Sequence, residues 1–179
     1  MNLPAFALAS VIALASPARA AAERGPSTSA ERTRAVETTR RLERDPLGPE
    51  ASKDRRWLIQ WIIDIPDIEV RGCSGPLDVL KGDDGSRHGK VLYAQAMFGQ
   101  AAFLIEHPRE KNDWVKVQLA GVESVLKAYR SLLGSDPSAR WKELDLLTEA
   151  RRQGKLREVV EETMEGCGEE RVPGTGDPI

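Results

Sequence analysis

The sequence predicts an all-α fold, a compact helical bundle of antiparallel helical hairpins with about five or six helices, closed by one disulfide bond. Leu, Ala, Glu, Lys and Arg are plentiful, whereas Phe, Tyr and Trp together make up only 5% of the 179 residues. This balance favours helix over sheet. Apolar residues recur at steps of three and four along several segments. Prolines and glycines separate those segments, which predicts short turns between consecutive helices.

The chain begins with MNLPAFALASVIALASPARA, a stretch typical of a secretory signal peptide. An apolar run from Leu3 to Ala15 is followed by a Ser-Pro break and then by Ala-Arg-Ala, the small-residue pattern that a signal peptidase requires. The run is shorter than the roughly 20 residues that span a bilayer. We expect export to the periplasm or the extracellular space, with cleavage after Ala20 and no integral membrane span afterwards.

Charge and composition set further bounds on partners and on domain organisation. Basic and acidic residues nearly balance, 26 against 28, for a net charge of −2. That balance gives no support to nucleic-acid binding, which needs a strongly basic face. The composition divides the chain into a signal peptide (1–20), a disordered lead-in (21–30), N-terminal helices (31–66), a helical core domain (67–168) and a disordered tail (169–179).

Two helices are predicted in the N-terminal part. The first, AERTRAVETTRRLERD, has only Val36 and Leu42 as large apolar residues, so we expect it on the surface. Two prolines and a glycine interrupt the chain after it. The second helix has apolar residues at helical spacing and ends before Pro66. Its Trp57 and Trp61 stand one turn apart, which fits either core packing or an exposed face for a protein partner.

The central helix is apolar on almost every side, which places it in the middle of the domain. Between Val91 and Ile105 only Gln95 and Gln100 carry polar side chains. A buried amide needs hydrogen-bond partners or an opening. These two residues therefore either bond to neighbouring helices or line a small ligand pocket.

Three further helices follow. A stripe of Val115, Leu119, Val122, Leu126, Tyr129 and Leu133 predicts a long helix with Gly134 as a left-handed cap. An Asp-Pro pair then restarts the chain, which implies an antiparallel hairpin. The next helix is expected to end at Gly154. In the last helix Leu156, Val160 and Thr163 share one side, and one more step of four reaches Cys167.

The chain contains two cysteines, Cys73 and Cys167. Cysteines of an exported protein usually pair, because the compartment is oxidising. A bond between these two would close a loop of about 95 residues and could stabilise the fold by up to about 4–5 kcal/mol. Two buried free thiols are the alternative. A catalytic thiol is disfavoured, because no Cys-x-x-Cys or Cys/His signature is present.

No motif in the sequence predicts a catalytic, metal or cofactor site. His88 and His107 flank the central helix and would lie nearly 30 Å apart, at about 1.5 Å per residue, so they cannot share a metal. The acidic pair between Gly82 and Gly85 lacks the spacing of a calcium loop and suits a solvated turn. Ser74 has no base nearby in sequence.

Two stretches, TRRLERDPLGPEA and AYRSLLGSDPSAR, resemble the ends of the second helices of tetratricopeptide repeats, which are helical scaffolds that bind proteins. The likeness is one of layout, because no 34-residue period connects the two copies. The exported, two-cysteine, helical format is also similar to that of small periplasmic stress chaperones and of immunity proteins in bacterial competition systems. These resemblances imply protein binding.

The sequence therefore favours an exported helical interaction or structural protein without catalytic activity, with a protein partner of unknown identity. The alternative is a carrier or sensor that binds a small apolar ligand between the central helix and the hairpin 112–153. A hydrolase that lacks a recognisable motif is the third hypothesis, because such an enzyme needs converging acid, base or nucleophile groups.

Overall fold

The computed structural model describes residues 24–72, 75–81 and 88–164. Within these ranges it contains α-helices, short 3-10 helices and no strand, so the predicted all-α class is confirmed. The α-helices are α1 (Ser29–Arg44), α2 (Ala51–Asp64), α3 (Gly89–Glu106), α4 (Trp114–Ser135), α5 (Lys142–Arg152) and α6 (Leu156–Thr163). Among the described helices, none combines the length and the hydropathy that crossing a membrane requires.

The fold is built around α3 and α4, which form an antiparallel pair. Gln95 of α3 bonds to Ser124, whereas Gln100, further along α3, bonds to the earlier residue Gln118. The two helices approach closely at Gly99, where an added Cβ would overlap Ser124 and lie 2.9 Å from the carbonyl oxygen of Ala120. Residues on most sides of α3 are buried, in agreement with its predicted position in the middle of the molecule.

Two apolar clusters flank α3. One side packs against α1 and α2, with Leu42, Leu58 and Phe98 at its centre. The other side packs against α4, α5 and α6 around Tyr129 and Val160. Because α3 contributes to both clusters, it joins the N-terminal helices to the C-terminal hairpins.

The first helix lies at the surface as predicted, but its inner face is more deeply buried than two large apolar residues suggest. Leu42 is 1% exposed, and α1 packs on α3 and α4. The inward face of α1 also contains Ala35, Thr39 and Glu43, so small and polar residues occupy positions where a periodic analysis looks for large apolar ones. The helix begins at Ser29, within the stretch 21–30 for which composition predicts disorder.

The start of α1 is fixed by local hydrogen bonds. Thr28 and Glu31 form a capping box, in which each side chain bonds to the other residue's backbone. Ser27 is buried and donates both its N–H and its hydroxyl to Asp67, at 2.7 Å each. The segment before α1 is thus tied to the chain that follows α2.

The end of α4 also differs from expectation. Gly134 lies inside α4, which continues to Ser135, and within the described ranges only Gly154 has a positive φ, at 73°. The turn after α4 is instead formed by Asp136, whose N–H bonds to Leu132 and whose carboxylate accepts the N–H of Ser138. The stop at Gly154 is confirmed.

The buried stripe of α6 is shorter than predicted. Leu156 and Val160 are buried, but Thr163 is exposed and its hydroxyl bonds back to the carbonyl of Val159. Several expected features lie outside the described residues: the signal peptide, Cys73, Ser74, the acidic turn 82–85, Cys167 and the tail 169–179.

Candidate functional site

Gln95 belongs to a buried polar network between α1, α3 and α4. Its Nε2 donates to Ser124 Oγ at 2.9 Å and to the carbonyl of Thr39 at 3.4 Å. The Ser124 hydroxyl in turn donates to Glu43 Oε1 at 2.7 Å. Gln95 and Ser124 are 2% and 1% exposed, so these bonds replace water.

Glu43 is the charged centre of this network and is itself only 6% exposed. Its carboxylate pairs with Arg40 Nη1 at 2.9 Å and lies 3.6 Å from Lys127 Nζ. We name Thr39, Glu43, Gln95, Ser124, Arg40 and Lys127 the Glu43 network. Two cations and a hydroxyl satisfy the carboxylate, which favours a role in fixing how three helices pack.

Gln100 holds the chain that follows α2. Its Oε1 accepts the N–H of Arg71 at 3.0 Å, and its Nε2 donates to the carbonyl of the same residue at 3.1 Å. The amide also bonds to Gln118. We call residues 66–72 the strap, since Gln100 and Asp67 fasten them across the bundle.

The opening beside Gln100 is very small. It holds about 20 Å³, whereas ligand pockets usually measure about 300–1,000 Å³. Gln95 and Gln100 therefore have the bonds expected of core amides. The geometry gives no support to a ligand chamber beside Gln100.

The two tryptophans of α2 do not form an exposed patch. Their rings stack, with centroids 5.8 Å apart. Trp61 is 3% exposed and packs in the cluster between α1 and α3. Trp57 is half-buried, and the guanidinium of Arg34 lies 3.9 Å above its ring.

The exposed apolar residues of α2 are isoleucines that sequence reasoning did not single out. Ile59 is 39% exposed and Ile63 is 70% exposed. They stand one turn apart, turned away from buried Leu58 and Trp61. Their spacing could have revealed them, because α2 has more apolar residues than one inward face can bury.

Around these isoleucines the outward side of α2 is basic. We define the α2 outer face as Ser52, Lys53, Arg55, Arg56, Ile59, Gln60 and Ile63. Two carboxylates border this face: Glu50, just before the helix, pairs with Lys53 at 3.2 Å, and Asp64 at the helix end bonds to Gln60. Asp54 is turned inward and pairs with Arg41. The face thus combines apolar side chains with three cations.

His88 is near a carboxylate, as an enzyme would require, but the order of groups is wrong for a catalytic triad. Its Nε2 lies 3.4 Å from Asp136 Oδ2, and the Ser138 hydroxyl donates to Asp136 Oδ1 at 2.5 Å. In a triad the histidine stands between serine and aspartate and takes the serine proton. Here aspartate stands in the middle. The bonds from Ser138 and from His88 hold the pKa of Asp136 below its usual value.

His107 lies at the other end of α3. Its Nδ1 is 3.7 Å from Glu110, and its ring packs on Phe103 with centroids 4.6 Å apart. No group of three or more potential metal ligands occurs within the described ranges.

A cleft lies at the end of the bundle where the strap crosses α3 and the start of α4. We call it the strap cleft; its volume is about 380 Å³. Its apolar wall consists of Pro66, Ile68, Leu104, Pro108 and Trp114. Its polar rim consists of Arg32, Asp67, Glu69, Lys111 and Asn112. This volume is within the usual range for small-molecule sites.

A second cleft of about 380 Å³ runs along the seam of α3 and α4. Its basic residues are already engaged with carboxylates. Arg40 pairs with Glu106, Lys116 with Glu110, and Arg151 with Glu123. A bound anion would have to compete with these pairs, so this cleft is the weaker candidate of the two.

No protein-family model matches the chain, and comparisons with curated proteins and with solved structures return no match. The function is therefore argued from the geometry of the described residues.

Proposed function

We propose that this protein is an exported, non-enzymatic interaction protein whose α2 outer face binds another protein. The observation that supports this proposal is the 70% exposure of Ile63, with Ile59 one turn away. An isolated exposed apolar residue is ordinary, but adjacent ones on a rigid helix are typical of a contact surface.

The cations of the α2 outer face set the chemistry of the partner. Within the described residues, the exposed Arg56 bonds to Ser52 and Arg55 bonds to the carbonyl of Pro46, so no hydrogen-bonded carboxylate there neutralises either guanidinium, whereas Lys53 pairs with Glu50. A partner surface with apolar side chains surrounded by Asp and Glu is complementary to this face. Binding is then expected to weaken as salt concentration rises.

Site-specific crosslinking tests the proposal. A photo-crosslinking amino acid replaces Ile63 in one protein and Leu146 in a control, because Leu146 is a similarly exposed residue, 61%, on α5. Each protein is irradiated in the native periplasmic or extracellular fraction. We expect a discrete adduct from position 63 that an Arg56→Glu change abolishes. Adducts of equal yield from both positions would contradict the proposal.

A disulfide between Cys73 and Cys167 is part of the proposal for an exported protein. Described residues near the two cysteines lie close together: a Cβ on Gly75 would be 3.9 Å from Thr163 Oγ1. Gly75 follows Cys73 by two residues and Thr163 precedes Cys167 by four. At about 3.5 Å per residue the chain can bring the two sulfur atoms within bonding distance.

The other two hypotheses have less support. A carrier would need a chamber beside Gln95 or Gln100, where both amides are instead bonded to protein. A hydrolase would need a nucleophile next to His88, but the Ser138 hydroxyl donates to Asp136 instead. An interaction protein requires neither feature.

A further inference from the structure

The strap cleft has walls that are held in place before any ligand arrives. Asp67 accepts three hydrogen bonds, from the Ser27 N–H, the Ser27 hydroxyl and Arg32 Nη2, each at 2.7 Å. Arg71 lies 3.7 Å above the ring of Trp114 while Gln100 holds its backbone. Walls fixed in this way lose little conformational entropy on binding.

The apolar part of the cleft comes from three separate elements. Ile68 belongs to the strap, Leu104 to α3 and Trp114 to α4, and all three line the same space. Pro66 and Pro108 add rigid backbone at its edges. An apolar body of two fused rings, or an alkyl chain of similar volume, fits within a space of about 380 Å³.

Lys111 and Asn112 differ from the other polar residues of the rim. Arg32 and Asp67 are bonded to each other, and Glu69 pairs with Arg71 at 3.1 Å. No hydrogen bond or ion pair within the described part of the chain involves the side chain of Lys111 or of Asn112. The adjacent carboxylates, Glu110 and Asp113, are turned to Lys116. The rim therefore offers one unpaired cation and one amide.

We propose that the strap cleft binds a small amphipathic anion, an aromatic or aliphatic carboxylate whose apolar body packs on Trp114 and Leu104. Its carboxylate accepts hydrogen bonds from Lys111 Nζ and from the Asn112 amide. Arg32 and Asp67 neutralise each other, and Glu69 is neutralised by Arg71, which is not part of the rim, so the unpaired Lys111 favours an anion over a neutral or cationic ligand. This site is independent of the partner surface proposed on α2.

Nuclear magnetic resonance of the ¹⁵N-labelled protein tests this assignment, with 1-naphthoate as the probe and 1-naphthamide as its neutral counterpart. The chain has four tryptophans, and each indole N–H gives a separate signal. We expect saturable shifts centred on Trp114 with a dissociation constant on the order of 1 mM or lower. Trp141 serves as the internal reference, because it follows the C-terminal end of α4 whereas Trp114 is the first residue of that helix.

The contribution of the charge is isolated by two comparisons. We expect naphthoate to bind about three- to tenfold more tightly than naphthamide. The preference is modest because the charge-assisted hydrogen bond forms at the cleft rim, where solvent weakens it. Lys111→Gln should remove that preference. Lys142→Gln, at an exposed lysine of α5, should leave it unchanged. Equal affinities for acid and amide in the unmodified protein, or shifts spread over all four indoles, would overturn the proposal.

Discussion

At the scale of single residues, the closest helix contact depends on Gly99. An added Cβ would overlap the Cβ of Ser124 and lie 2.9 Å from the Ala120 carbonyl, and neither the Cβ nor the backbone can move alone. We predict that Gly99→Ala lowers the free energy of unfolding by about 1–3 kcal/mol, because α3 and α4 must separate. Urea denaturation followed by circular dichroism measures the change.

Gly134→Ala is the matched control for this prediction. Gly134 also lies within a helix, but nothing is within 4 Å of the position of its Cβ. The substitution should be neutral or stabilising by up to about 1 kcal/mol, since alanine favours the helix. If Gly99→Ala were equally harmless, the close approach of α3 and α4 would be refuted.

Glu43 supports a second prediction at this scale. Glu43→Ala leaves Ser124 without its acceptor and removes the carboxylate that pairs with Arg40 and Lys127. We expect a loss of about 1–3 kcal/mol in unfolding free energy, because a buried network is broken while its cations can still reach water. Glu43→Gln, which keeps an acceptor oxygen, should cost less.

The exposed Glu37 on the same helix provides the comparison. Glu37→Ala should change the urea midpoint little, because surface substitutions are usually within about 0.5 kcal/mol. A similar loss from the two alanine substitutions would show that the Glu43 network contributes no specific stability.

The composition of α3 showed which of its residues need hydrogen-bond partners. It did not show which residues those partners are. Gln95 and Gln100 stand out in an apolar helix, and both are bonded. Their partners Ser124 and Arg71 are 29 residues away in opposite directions. These hydrogen-bonded pairs form only when the helices pack, so an apolar period of three or four residues cannot predict them.

At the scale of helices, carboxylates fasten α1 to its neighbours. Asp54 of α2 accepts two bonds from Arg41, at 2.7 and 2.9 Å. These bonds from Arg41 hold the pKa of Asp54 below its usual value of 3.8. Burial alone would raise the pKa of Asp67, but the bonds from Ser27 and from Arg32 together lower it.

The lowered pKa values predict acid lability of this junction. A carboxyl whose pKa is lower in the folded state contributes stability above its unfolded pKa and loses it as pH falls through the folded value. At neutral pH, Asp54→Asn should therefore reduce the free energy of unfolding. We expect a loss of about 1–2 kcal/mol, because the hydrogen bonds are charged but the Arg41 side chain is half exposed. Near pH 2 the two proteins should have similar stability.

Urea midpoints at several pH values test this prediction. The difference between the wild type and Asp54→Asn should be constant from about pH 7 to pH 5 and shrink below about pH 4. A difference that persists unchanged at pH 2 would mean that Asp54 acts by packing instead of charge.

The ends of helices were predicted best where a single residue stops the helix by its own conformation. Gly154 ends a helix because a left-handed residue stops the hydrogen-bond ladder. Gly134 fails as a cap because Asp136 and Ser138 supply a competing turn two residues later. The packing of α1 was missed because its buried side includes Thr39 and Glu43, which are typical of surfaces.

At the scale of the whole molecule, the order of helices was predictable because prolines and glycines separate them and most of them have an apolar period. The packing of the helices against one another was less predictable. The strap cleft combines Arg32, Ile68, Leu104 and Lys111, which are spread over about eighty residues of sequence. A site assembled from an irregular strap and three helix ends has no local motif, so only the folded chain brings it together.

The proposed bond between Cys73 and Cys167 concerns the stability of the entire fold. It would link the chain beside Gly75 to the end of α6, where Gly75 and Thr163 are neighbours. The α6 helix has eight residues and only Leu156 and Val160 are buried, so it depends on its surroundings to stay helical. We predict that Cys73→Ser/Cys167→Ser lowers the unfolding free energy, at most by about 4–5 kcal/mol.

Two measurements distinguish the bond from its absence. Alkylation under denaturing conditions should modify the purified exported protein only after reduction, which mass spectrometry detects. Reductant should then lower the urea midpoint of the wild type and leave that of the double variant unchanged, because only the former has a loop to open. Alkylation without prior reduction would disprove the bond. In that case α6 would be held by apolar packing without a covalent link, and the same reductant would change neither midpoint.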